Sequence, residues 1–73
     1  MKYTIIDHKA LSDALKELRN QQDVSQDELS RFAGISRQTL SEIERSNVDV
    51  QISTLLKIIK LLGCQIIIES TGK

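Results

Sequence analysis

Proline and tryptophan are missing from this chain, and its 73 residues include only three glycines, one cysteine, one tyrosine and one phenylalanine. Without proline there is no cis X-Pro bond and no fixed helix kink to account for. A lone Cys64 excludes an internal disulfide and a zinc site built on paired cysteines. Tyr3 and Phe32 are too few for a platform on which successive bases of a single strand could stack. Long hydrophobic runs are lacking too. Lys57 and Lys60 interrupt the most apolar stretch, which falls short of the ~18 residues of a membrane span. The opening Met1–Lys9 has no unbroken apolar region of the kind that directs secretion. Neither sign of charge is in excess: ten Lys+Arg face ten Asp+Glu. A protein that lives by phosphate contacts is usually basic, so any nucleic-acid function here must rest on the placement of charge rather than its total. At 40% hydrophobic and 27% charged residues the balance is that of a globular protein. The expectation is one domain over residues 1–73, cytoplasmic and without a membrane partner. A chain this short buries only ~60% of its unfolded surface, so a second subunit is expected to help.

What is present reads mainly as helix. Tyr3–Ile6 is short and β-branched, a strand or an ordered arm. Asp7 stands at an N-cap position before Leu11, Ala14, Leu15 and Leu18, which share one helical face, with Asp13, Lys16, Glu17 and Arg19 turned outward. Ser25 and Glu28 have the spacing of a capping box, and Val24 with Leu29 that of a hydrophobic staple. Gly34 ends this short helix. Ser36 caps the next, which sends Leu40 and Ile43 inward and Arg37, Gln38, Ser41, Glu42 and Arg45 outward. After a polar turn, Ser46 to Asp49, a fourth helix from about Ile52 closes at Gly63. The helical core thus covers residues 7–63. Ile66, Ile67 and Ile68 follow, and 64–69 has the composition of a β-strand.

Two short helices around Gly34 make a helix-turn-helix. Their close crossing needs a small residue at Ser30, the turn a residue tolerant of positive φ at Gly34, and the pair an anchor in Leu29, Ile35, Leu40 and Ile43. The run from Gln26 to Glu44 resembles the helix-turn-helix of the phage-repressor (Cro/C1, or XRE) family. The likeness extends to Leu18-Arg19 and to Thr54–Gly63, and so spans residues 10–63. Ser46 stands where that family usually has glycine, and Val50 where it often has proline; both departures fall in a loop. The resemblance implies a lambda-repressor-like bundle of four to five helices. It also places Arg37, Gln38, Ser41 and Glu42 against base edges in duplex DNA.

That assignment makes chemical sense. Arg grips guanine O6 and N7, and Gln pairs with adenine N6 and N7, each worth ~1–3 kcal/mol of discrimination. Glu42 either accepts from cytosine N4 or repels phosphate and orients Arg45. Gln26, Ser36 and Thr39 at helix starts, with Arg45 and Asn47, are the phosphate candidates. On an arbitrary helix Arg37, Gln38 and Ser41 would be a solvated face; the cap, the glycine turn and the matched flanks reverse that expectation. Residues 26–47 carry three arginines against four carboxylates. One copy should therefore hold DNA poorly, and two are required.

The C-terminal part supplies a reason for two. Leu55, Ile58, Ile59 and Leu62 suffice to cover a small core, which leaves Leu56 and Leu61 over. Ile66–Ile68 would expose an unpaired apolar edge, so it is expected to pair with its two-fold mate, or else with Tyr3–Ile6 of either chain. Such a homodimer would present two recognition helices ~34 Å apart on a pseudo-palindromic operator. A repressor-like domain ending in Leu62–Glu69 is similar to the HipB-type antitoxins. That resemblance implies an antitoxin that represses its own operon and holds a HipA-like serine/threonine kinase toxin. A stand-alone repressor and a protein-interaction module that does not bind DNA are the alternatives. No enzyme is expected: His8 reads as a solvated flank residue, Cys64 as a small buried one, and no cofactor or metal-ligand motif appears.

Overall fold

The computed structural model describes residues 2–72, which contain four helices: α1 (His8–Gln21), α2 (Gln26–Ala33), α3 (Arg37–Glu44) and α4 (Ile52–Leu61). Three starts are capped by side chains. Asp7 accepts from the Ala10 N–H at 2.8 Å, and Ser36 from the Thr39 N–H at 3.0 Å. Ser25 accepts from Glu28 at 3.0 Å while the Glu28 carboxylate takes the Ser25 N–H at 3.1 Å, a complete capping box. That backbone N–H, and then the Ser25 hydroxyl, hold the Glu28 pKa below the usual carboxylate value.

All four helices end alike. In each, the N–H two residues past the last turn reaches back to a carbonyl five residues earlier: Val24 to Arg19, Ile35 to Ser30, Asn47 to Glu42 and Cys64 to Ile59, at 3.0–3.2 Å. The intervening residue is left-handed every time: Asp23 (φ 56°), Gly34 (72°), Ser46 (60°) and Gly63 (72°). This is the Schellman closure. A side chain added at Gly34 would meet nothing within 4 Å, so glycine is there for its backbone angle, not for space. Ser46 adopts the same angle with a Cβ, at a cost of ~1–2 kcal/mol. Ser46→Gly should relieve part of that cost. Against glycine's greater unfolded-state entropy, we expect a net gain of about 0.5–1 kcal/mol. For a domain this size that is a rise of about 3–6 °C in Tm, readable by circular dichroism.

Leu15, Leu29, Ala33, Leu40, Ile43, Leu55, Ile58, Ile59 and Leu62 form the core. Leu11, Leu18, Val24, Ile35, Val50 and Cys64 pack around it. The apolar residues following the closures of α1, α2 and α4 thus each seal an edge of the core. Ser30 is buried where the helices cross, its hydroxyl donating to the Asp27 carbonyl at 2.9 Å. Leu56 and Leu61 lie outside the core, 49% and 43% exposed.

Three sequence-based expectations are corrected. Arg19 does not face solvent: it is 8% exposed and paired with Glu44, which is 6% exposed. His8 is not simply solvated; it is half-buried, with Nε2 enclosed and without a hydrogen-bond partner. Residues 64–69 are not a strand, and no strand occurs among the described residues. A strand exists only through hydrogen bonds to a neighbouring strand, and the single chain offers none there. Ile66, Ile67 and Ile68 are exposed instead, Ile68 to 96%. At the other end Tyr3 is half-buried beside α1. Desolvation and its hydrogen bond to Glu17 raise the Tyr3 pKa above the ordinary phenol value.

Candidate nucleic-acid interface

The exposed side of α3 begins at its cap. The Ser36 hydroxyl accepts from the Thr39 N–H and donates to Thr39 Oγ1 at 2.7 Å. This uses the Ser36 proton and leaves the Thr39 proton to be donated outward. Arg37, Gln38 and Thr39 are exposed, and Ser41 and Glu42 are half-buried. Gln38 and Glu42, one turn apart, line a shallow depression with Ser36, Thr39 and Val48. Arg45, the C-cap residue, lies at the far end with its guanidinium 2.8 Å from the Glu42 carboxylate. Asn47 is exposed beyond it, its N–H held by the Glu42 carbonyl.

The opposite side of α3 is locked. Glu44 receives Arg19 Nε at 2.7 Å and Nη2 at 3.0 Å, a two-pronged pair, while Arg19 Nη1 donates to the Val24 carbonyl at 2.9 Å. The Gln26 side-chain amide, at the start of α2, donates to the same carboxylate at 3.0 Å. The Ser12 hydroxyl, from α1, donates to the Ile43 carbonyl at 2.7 Å. Residues from α1 and α2 therefore converge on the last turn of α3 and fix the pose of its exposed face. Gln26 is thus turned toward Glu44, with one amide proton committed there and one left for a phosphate. Sequence reasoning missed Ser12, Arg19 and Glu44 as determinants of this surface. The only signal was a cation and a carboxylate at helix ends 25 residues apart in sequence.

The electrostatic balance of the unit follows from its pairs. Arg31 lies 3.4 Å from Asp27, Arg45 is held by Glu42, and Glu44 is neutralised by Arg19. Among the described residues, Arg37 is the one arginine of the unit with no carboxylate partner, and it projects from the first turn of α3. A capped, exposed helix bearing an unpaired arginine and a glutamine, joined to α2 by the tight turn at Gly34, defines a helix-turn-helix DNA-binding domain.

Comparison with known proteins agrees: residues 15–67 match the helix-turn-helix family HTH_3, and the chain belongs to it. It is 32% identical over 56 residues to an uncharacterized HTH-type transcriptional regulator, y4mF, of Sinorhizobium fredii, covering 77% of this chain and 74% of that one. Its fold is similar to a chain of the HipA–HipB–O2–O3 complex, with a TM-score of 0.85, 27% identity, and coverage of 97% of this chain and 100% of the other. It is likewise similar to a chain of a complex between a HipB variant and the O2 20mer, with a TM-score of 0.87, 25% identity and coverage of 99% and 100%. The chain is thus a DNA-binding helix-turn-helix transcription regulator. No helix among the described residues is long and apolar enough to cross a membrane.

Proposed function

We propose that this regulator is a homodimeric, sequence-specific repressor that reads a pseudo-palindromic operator through α3. We further propose that it serves as the antitoxin of a toxin–antitoxin operon, repressing its own promoter and binding a HipA-like kinase. The observation that carries the DNA-binding part is the exposure of Arg37 and Gln38 on a helix locked from behind by Arg19–Glu44. Arg37, Gln38 and Ser41 take the base edges, with Glu42 beside them. Thr39, the second Gln26 amide proton, the backbone at Ser36 and Asn47 serve the phosphates, with Arg45 beside them in its pair with Glu42.

The homodimer rests on Leu56 and Leu61, with Ile66, Ile67 and Ile68 completing the interface once a second chain gives them a strand to pair with. The antitoxin role is supported by likeness to HipB across that protein's whole chain. A stand-alone repressor is the second reading, in line with y4mF, an HTH-type transcriptional regulator.

Sedimentation of the full chain and of one ending at Gly63 tests the dimer. The full chain should run at twice its monomer mass of 8.2 kDa and the shortened one as a monomer. A shortened chain that stays dimeric would rule out the isoleucine segment as the joining element. Co-purification with the product of an adjacent kinase-like reading frame separates antitoxin from stand-alone repressor.

A further inference from the structure

We infer that Glu42 is a brake on DNA binding rather than a base-reading residue: it holds Arg45 away from the phosphate backbone and fixes how much affinity the domain has for any duplex. The inference rests on the DNA-binding reading above. Glu42 Oε1 lies 2.8 Å from Arg45 Nη2, with the Glu42 side chain 27% exposed and that of Arg45 59% exposed. Glu42 shares its depression with Ser36, Gln38 and Thr39. A bare carboxylate there would face phosphate oxygens at close range; paired with Arg45 it is neutral, but the arginine is then not available to them.

The charge distribution gives this pair its weight. The whole chain is neutral, and within the helix-turn-helix Arg37 is the one arginine left without a carboxylate among the described residues. Arg31 and Asp27 form a similar exposed pair, but within α2. Arg45, at the C-cap of α3, is therefore the further arginine of the unit that the α3 surface can recruit, and Glu42 holds it. An arginine eight residues past Arg37 is displaced along the helix by roughly 12 Å, close to the width of the major groove. Arg37 and Arg45 thus mark opposite ends of the α3 surface.

A base-reading carboxylate and a brake predict opposite results when the charge is removed. Glu42→Gln keeps the shape of the side chain while removing its charge. If Glu42 restrains Arg45, Glu42→Gln tightens binding to every duplex; if it reads cytosine, Glu42→Gln weakens binding to the preferred site alone. The wild type, Glu42→Gln, Arg45→Ala and the double variant are titrated by fluorescence anisotropy against two labelled 30-base-pair duplexes. One has arbitrary sequence and the other is obtained by selection from a random pool with the wild-type chain. Titrations run at 50, 100 and 200 mM KCl, with circular dichroism confirming that each variant is folded.

Glu42→Gln should bind both duplexes about tenfold more tightly at the lowest salt, since two exposed pairs are released per dimer. Its salt dependence should steepen by about two in log–log slope, one further phosphate per subunit. In the Arg45→Ala background the steeper slope should vanish, since no cation is left to release, and the affinity gain should shrink to that of removing a bare carboxylate. Weaker binding of Glu42→Gln to the selected duplex, an unchanged slope, or a steepening that survives Arg45→Ala would each overturn the brake while leaving DNA binding intact. A folded wild type that binds neither duplex at any salt would overturn the regulator reading, and the brake with it.

Discussion

Glu44→Ala should cost about 3–5 kcal/mol, the usual consequence of stripping one partner from a buried ion pair. A 73-residue domain has a total stability of about 4–11 kcal/mol, so this loss takes from about a quarter to all of it. The expectation follows from what is left behind. Arg19 would keep its bond to the Val24 carbonyl but lose both contacts to Glu44, in a site where it is almost fully enclosed. The Gln26 amide would lose its acceptor as well. Urea denaturation reads the loss directly, and Arg19→Met with Glu44→Leu is the informative companion. Replacing the whole pair with apolar groups should recover much of what Glu44→Ala loses, since the penalty lies in the orphaned charge. A Glu44→Ala midpoint matching the wild type would show that the pair does not hold α3.

The second large effect concerns DNA alone. Arg37→Ala with Gln38→Ala should lower affinity for a selected duplex by at least about a thousandfold, because two base-reading contacts at ~1–3 kcal/mol each are lost in both subunits. Binding to arbitrary duplex should fall far less, only by the share of Arg37 in neutralising phosphate. The melting temperature should not move, since both side chains are exposed and neither makes a hydrogen bond within the protein. Competition anisotropy on the two duplexes separates these outcomes. Equal losses on both would mean that Arg37 and Gln38 serve the backbone and not the bases.

How much of this was legible beforehand depended on the range over which each feature is determined. The caps at Asp7, Ser25 and Ser36 are set within four residues, and the spacing was enough to find them. The core face of α4 was equally local: Leu55, Ile58, Ile59 and Leu62 are buried while Leu56 and Leu61 are not. The helix closures divide instructively. Gly34 and Gly63 announced theirs, whereas Asp23 and Ser46 adopt the same left-handed angle without a glycine to mark it. The Arg19–Glu44 pair was out of reach because helical periodicity ranks a charged residue as outward, and only tertiary packing brings the two helix ends together. Residues 64–69 carry strand composition, but composition cannot supply the neighbour that a strand requires.

The polar ties onto α3 converge on its last turn, at Ile43 and Glu44, whereas the proposed reading residues Arg37, Gln38 and Ser41 hydrogen-bond to nothing in α1 or α2. Scaffold and code are therefore written in separate letters. A lineage, or an engineer, can rewrite the three outward positions to address a new operator without renegotiating how the domain folds. Changes at the inner end would forfeit the frame itself.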